Sequence, residues 1–458
     1  MDGDGQSEAL RDPALVAALG RLGARDADAA KAAAAAWASV APDGEVSRVH
    51  QRFVQDFVWY RLPTKWFCDQ DEHLEIAHGL AGLFDELRLS RYAQLCRSAT
   101  TRQVIAAWHR GRKAGLAAYR KALDGSGIEP PDTEVLAWGR VMSLEESDAN
   151  DHVAVVLERA VAEGRLVPGG RGWRARQQEL TVAALREQVP GDPVQRDWLG
   201  VVTGARMTRW LEQHRSSRRR ILIGQWQTAL LQPIEPPDEV SMVVAPLRWL
   251  LGQASDGALA LTSQHRLSPP VVQAMGEEFG WFGPRDGVAP MREDDVRKAT
   301  VVHEVARHQR WVRRQGRNLT ATKVGRAVCV DDVAVWRGLA AAIAAPDGFE
   351  GYVRECALLV LLGAEQAEQP GRRALLVALG ELAAEAGWHD PESGRGPTPE
   401  EVGSFVDPLL ATLVIFGLHT ESDVPPQGGF DRLTDAGRAT ALEVLRVRAT
   451  GPQHRLMN

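Results

Sequence analysis

The sequence predicts a mainly α, multidomain chain in which helices are joined by short β-hairpins. Three observations carry that expectation. Apolar residues recur at helical spacing almost throughout, with few alternating β-branched runs. The length of 458 residues exceeds what one ordinary core serves, so two to four domains are expected. One local grammar also occurs three times: a helix, an apolar exit, a glycine-containing turn, a Leu-Thr pair and a new helix start.

Taken in order, residues 1–44 are Ala-rich with Gly and Pro at their ends, which predicts one helix and a loose terminus. Residues 45–128 predict a helical bundle. Its stripes are Ser47–Tyr60 (Val49, Phe53, Phe57, Tyr60), Glu72–Leu87 (Leu74, Ala77, Leu80, Phe84) and Thr100–Leu123, with Pro63 expected to break the first from the second. Pro and Gly cluster at 126–132, 231–239 and 389–401 and mark linkers. The pieces between them are domain-sized: 129–232, 240–345 and 350–458.

The repeated grammar spans Leu157–Arg186, Val305–Val328 and Thr412–Arg446. Thr181, Thr320 and Thr434 stand where a hydroxyl can cap the next helix or close the turn before it. Upstream of the middle copy the elements read almost completely. Val244–Ala254 has helical spacing, Ala258–Thr262 alternates, and Leu267–Gly280 starts a helix with Ser268 as N-cap and two prolines in its first turn. Glu293–Gln309 is the next helix, with carboxylates at its start where the macrodipole favours them. "WVRR", a Gln315-Gly316 turn, "RNLT" and a closing helix follow.

This order, with the phrase "LTATKVGRAV", resembles the winged-helix arrangement of MarR-like regulators over residues 244–328. The same block is similar to a module of uncharacterised actinobacterial proteins associated with plasmids or transposons. The resemblance implies tandem winged-helix-like modules with short β-hairpins, the outer two (129–232 and 350–458) being degenerate. It makes 294–309 the recognition helix and Arg313–Arg317 the wing tip.

Charge gives that reading some content. The chain carries net −6, yet 206–220 holds six arginines against Glu212, and 292–326 holds ten basic residues against four acidic ones. On helix 294–309, Arg297, Thr300, Glu304, Arg307 and His308 share an outer face, with Val301, Val302, Val305 and Ala306 expected in the core. The expected nucleic-acid contacts are therefore Arg297, Arg307, Arg310, Arg313, Arg314 and Arg317, joined by Arg215, Arg218, Arg219 and Arg220 from the other basic stretch. The expected function is that of a non-enzymatic nucleic-acid-binding accessory or regulatory protein whose partner is duplex DNA. The alternative is a protein-interaction scaffold built from the same modules. Glu293, Asp294 and Asp295 favour the alternative, because carboxylates at the head of that helix repel phosphate unless they face away.

No familiar chemistry competes with these readings. "HEVARH" spaces His303 and His308 five apart, which sets the rings about 140° from one another on a helix and cannot chelate one ion. No phosphate loop or nucleophile elbow occurs, and Cys96 and His109 form a catalytic pair only if geometry joins them. No cofactor or metal is expected. Cys68, Cys96, Cys329 and Cys356 include no C-x-x-C pair, which suits a reducing cytoplasm. Ala357–Ala364 is far too short to cross a membrane, and acidic Met1–Glu8 is unlike a signal peptide. The 14 tryptophans are spread along helices as core anchors, and Trp311 is expected to pack behind the wing.

Overall fold

The computed structural model describes residues 12–41, 43–282, 291–344, 347–363, 371–420 and 432–452. It is mainly helical and divides into two compact units, one ending at Val202 and one beginning at Thr203. Among the described residues no helix is long and apolar enough to cross a membrane.

The first unit begins with two helices where one was expected, α1 (Pro13–Gly23) and α2 (Ala27–Val40). Asp26 explains the break: its carboxylate accepts from the Ala29 N–H and caps α2. α3 (Gln51–Asp56) runs through a π-helical turn, Phe57–Arg61, into Leu62–Lys65, so the helix passes Pro63 itself and the expected break between the two stripes falls just after it, from Trp66. A proline cannot bond the carbonyl four residues back, which here is that of Trp59; the Trp108 indole donates to that carbonyl instead, at 2.9 Å. α4 (Gln70–Glu86) fills the predicted second stripe and opens on a capping box from Asp69 and Glu72. It presses so closely on α2 that a Cβ at Gly79 would lie 2.8 Å from the Ala29 carbonyl oxygen. α5 (Ser90–Arg97) follows, and the predicted 100–123 stripe is split into α6 (Ala99–His109) and α7 (Arg112–Ser126) by Gly111 at φ +132°.

A second core in this unit gathers Ile128, Val153, Leu157 and Ala184 around α8 (Leu144–Ala162) and α9 (Trp173–Leu185). The Pro-rich stretch at 126–132 is pinned rather than free, since Gln177 Nε2 donates to the carbonyls of Gly127 and Glu129. Thr181 is buried in the middle of α9 and caps nothing; the antiparallel bridge of this region joins Gln188 to Asp197, beyond the expected repeat. The division between the units falls within α10 (Trp198–Glu212).

The second unit has one continuous core, from Met207 to Ala449. α11 (Ser217–Gly224) precedes α12 (Val240–Asp256), β1 (Leu259–Ala260), α13 (Pro269–Glu278), α14 (Arg297–His308), β2 (Val312–Gln315) and β3 (Asn318–Ala321). The order of elements in 244–328 is the predicted one. The three strands form an antiparallel sheet in the order β1-β3-β2. α15 (Lys323–Val328) and α16 (Asp332–Ala344) close this part, and α17 (Gly348–Gly363), α18 (Arg372–Glu385), α19 (Pro399–Ile415) and α20 (Asp435–Thr450) complete the unit.

The grammar of the second and third copies has a shared physical form. Thr322 caps α15 by accepting from the Gly325 N–H at 3.0 Å, and its hydroxyl donates to the Arg310 carbonyl at 3.0 Å. Thr434 caps α20 by accepting from the Gly437 N–H at 3.0 Å, and its hydroxyl donates to the Gly417 carbonyl at 2.9 Å. A Cβ on Gly325 would lie 2.0 Å from the Trp311 carbonyl oxygen, and one on Gly437 1.8 Å from that of Leu418. The shared geometry is therefore T-x-x-G-R, read as Thr322 to Arg326 and Thr434 to Arg438. Thr320, the expected cap, lies in β3 opposite Arg313.

Candidate nucleic-acid interface

The hairpin of the middle copy is built by alternation. Val312 pairs with Ala321 and Arg314 with Leu319, and Val312, Ala321 and Leu319 are buried on the inner face. Arg313 and Gln315 fall on the outer face, opposite Thr320 and Asn318. Gly316 and Arg317 make the two-residue turn, with Gly316 at φ +62°, a conformation that tight hairpins need at their first central residue. β1 pairs with the other side of β3, so β2 is an edge strand, and it carries Arg313 and Arg314.

Arg313, Arg314 and Arg317 are exposed and form no ion pair among the described residues. Behind them Trp311 is 4 % exposed, and its ring lies so near Gly338 that a Cβ there would sit 2.2 Å away. The indole is a core anchor, as its sequence context suggests. Arg310 closes α14 in the left-handed region at φ +54°, with its carbonyl held by Thr322 and its side chain exposed.

α14 differs from expectation at its start. It begins at Arg297, after a 3₁₀ turn at Glu293–Asp295. The three carboxylates that should oppose phosphate are each engaged. Glu293 is 1 % exposed and accepts from the Leu267 N–H and from His303 Nδ1, the latter at 2.9 Å. Asp294 pairs with Arg266 at 3.2 Å, and Asp295 accepts from the Arg292 N–H at 3.1 Å. Sequence reasoning missed the Glu293–His303 pair, because His303 reads as a surface residue until its ten-residue offset from Glu293 is folded into contact. His303 is buried and His308 exposed, so the two histidines face different surroundings, and no group of three metal-ligating side chains occurs among the described residues.

Val302 and Ala306 lie in the core as expected, whereas Val301 is only half-buried. It helps line a cleft of about 350 Å³, with Arg297, Thr300, Glu304 and His308 on one wall and Pro408 and Leu409 of α19 on the other. The outer face of α14 thus borders another helix of its own unit. Arg307 lies outside that cleft and is exposed.

Half of the six arginines in the other basic stretch are taken up by the fold. Arg219, expected on the surface, is fully buried; its Nε lies 2.6 Å from Glu355 Oε1, and its Nη2 donates to the Trp210 carbonyl. Arg448 and the Trp210 indole bind the other Glu355 oxygen at 2.9 and 2.8 Å. Burial alone would raise the Glu355 carboxyl, but the Arg219 and Arg448 guanidiniums override it and hold it below the usual carboxylate range. Arg218 pairs with Glu381 at 2.9 Å, and Arg206 is buried and donates to the Thr450 carbonyl. Arg215 and Arg220 remain exposed. No hydrogen bond or ion pair among the described residues joins this stretch to the hairpin.

The four cysteines are free thiols. Cys96 is buried, which pushes its thiol up to about 12, and His109 bonds His73 at 2.9 Å, so no nucleophile and base are assembled there. Comparison with known proteins finds no matching family model, curated protein or solved structure.

Proposed function

We propose that the second unit is a non-enzymatic nucleic-acid-binding module of winged-helix type, acting on duplex DNA through the hairpin of residues 312–321. The observation that carries this reading is the set Arg313, Arg314 and Arg317: three exposed guanidiniums around one tight turn, on an edge strand, with no carboxylate partner among the described residues. Guanidiniums left unpaired are available to phosphate, and phosphate contacts supply most sequence-independent affinity. The element order and the β1-β3-β2 sheet support the winged-helix assignment. Arg307 and Arg310 stand at the end of α14 nearest the hairpin and extend the basic edge. Arg219 has no part in this reading, and Arg297 faces the cleft.

The test is a titration with duplex DNA at several salt concentrations. Five phosphate contacts give a slope of log K against log salt near −4.5, taking roughly −0.9 for each. Changing Arg313, Arg314 and Arg317 together to Ala lowers affinity and shrinks the slope by about 2.7. A folded wild-type protein that shows no binding at low salt refutes the proposal, and a slope untouched by the triple change moves the contact elsewhere.

A further inference from the structure

Within the second unit a groove of about 730 Å³ lies between the start of α12, the end of α13, the end of α19 and the start of α20. That volume is in the range of small-molecule sites. Its floor is apolar and aromatic: Met242, Pro246, Phe279, Trp281 and Phe416. The Phe279 and Trp281 rings lie 5.5 Å apart at 30°, giving the groove a nearly continuous aromatic wall. Met242 is 67 % exposed, an apolar side chain facing water that an apolar occupant would cover.

Charge decides what kind of occupant fits. Asp238, Glu239 and Asp435 stand at the rim, and among the described residues no basic side chain lines the groove. All three are exposed and form no ion pair among the described residues. Nor are they used as helix caps: Glu239 makes no capping bond, and α20 is capped by Thr434 rather than Asp435. The starts of two helices border the groove and bring about half a positive charge each, and the α19 C-terminus at Ile415–Gly417 adds about half a negative one. Three full carboxylates outweigh that remainder. Pro246, inside α12, also has no N–H to return to the Met242 carbonyl. Lys298 Nζ, 6.0 Å from the Trp281 ring and outside the lining, adds one positive charge nearby, which the three carboxylates still outweigh. The cleft beside α14 differs in that Arg297 and Arg354 outnumber Glu304 in its lining, which disfavours a cation.

We propose that this groove binds an apolar organic cation, with the aromatic wall covering the body and the rim carboxylates neutralising the charge. The site is independent of the hairpin and stands whether or not the hairpin binds DNA. Tetraphenylphosphonium and tetraphenylborate, of the same shape and opposite charge, are the probes, titrated calorimetrically into the full chain. The expected result is saturable binding of one phosphonium per chain and borate binding at least about tenfold weaker. The combined change Asp238→Asn, Glu239→Gln and Asp435→Asn weakens phosphonium binding about tenfold, each exposed carboxylate contributing roughly a factor of two. Met242→Arg, at a position already exposed to water and therefore tolerated by folding, abolishes it. Equal affinity for the two ions, no saturable phosphonium binding, or phosphonium affinity unmoved by both sets of changes overturns the proposal.

Discussion

The two basic stretches have similar composition, but the first gives up half of its six arginines to the fold while the turn of the second gives up none. Between residues 206 and 220, Arg206 and Arg219 are buried and Arg218 is paired, their partners being the Thr450 carbonyl, Glu355 and Glu381. Around the hairpin turn, Arg313, Arg314 and Arg317 are exposed, with no carboxylate opposite them among the described residues. An arginine on a helix that other helices surround must find an acid or a carbonyl, because an unpaired buried guanidinium is prohibitively costly. An arginine on an open edge strand has no such obligation. Local charge density is therefore a poor guide to an interface until the neighbours of each residue are known.

The largest expected effect separates the two stretches most clearly. Arg219→Ala leaves Glu355 buried with one guanidinium fewer and costs about 3–5 kcal/mol in urea unfolding; a loss below about 1 kcal/mol would break the contrast. Next come the glycines that seat the two capped helices. Gly325→Val and Gly437→Val each drive a side chain into a backbone carbonyl and cost about 3 kcal/mol. Similar losses at both sites are the expectation from their matching close approaches of 2.0 and 1.8 Å.

The Glu355 centre also predicts a pH dependence. The folded carboxyl titrates below its ordinary value of 4.5, so its contribution is present above that value and lost as pH falls through the lower folded value. The urea midpoint should drop as the solution is acidified below about pH 4.5, and Glu355→Gln should flatten that part of the profile. Smaller again is the loss of a cap: Thr322→Ala and Thr434→Ala each cost about 1 kcal/mol, whereas Thr320→Ala costs less. At the bottom of the scale, Arg218→Ala and the triple change at Arg313, Arg314 and Arg317 shift stability by no more than about 0.5 kcal/mol. A stability loss from the triple change would show that the hairpin arginines serve the fold after all.

Particular residues show what could be read in advance. The helix-strand-helix-helix-hairpin order of 244–328 was legible because each element carries its own local signals: the prolines that open α13, where Ser268 stands at the cap position without making a capping bond, the Gly316 turn, and the buried Val312 and Leu319 of the hairpin. The repeat was legible, but its register was not. "LTATKVGR" offers two threonines, and only the close approach of Gly325 to the Trp311 carbonyl picks Thr322 as the cap. Thr181 stands in a similar Leu-Thr pair with no glycine three residues on, and it continues a helix. Pro63 breaks a helix by local rules, yet Trp108, 45 positions along the chain, supplies the donor that lets the helix pass.

Sequence alone determined the mainly helical character, the element order of the middle block and the charge of the hairpin turn, since helical periodicity, capping residues and turn chemistry act over a few neighbouring residues. Tertiary structure alone decided which arginines remain available, which carboxylates are hidden and where the acidic aromatic groove lies. Arg219 meets Glu355 across 136 residues, and the groove joins side chains from 236 to 436. Burial and pairing depend on what packs against a residue, and a partner that distant leaves no mark on the local pattern.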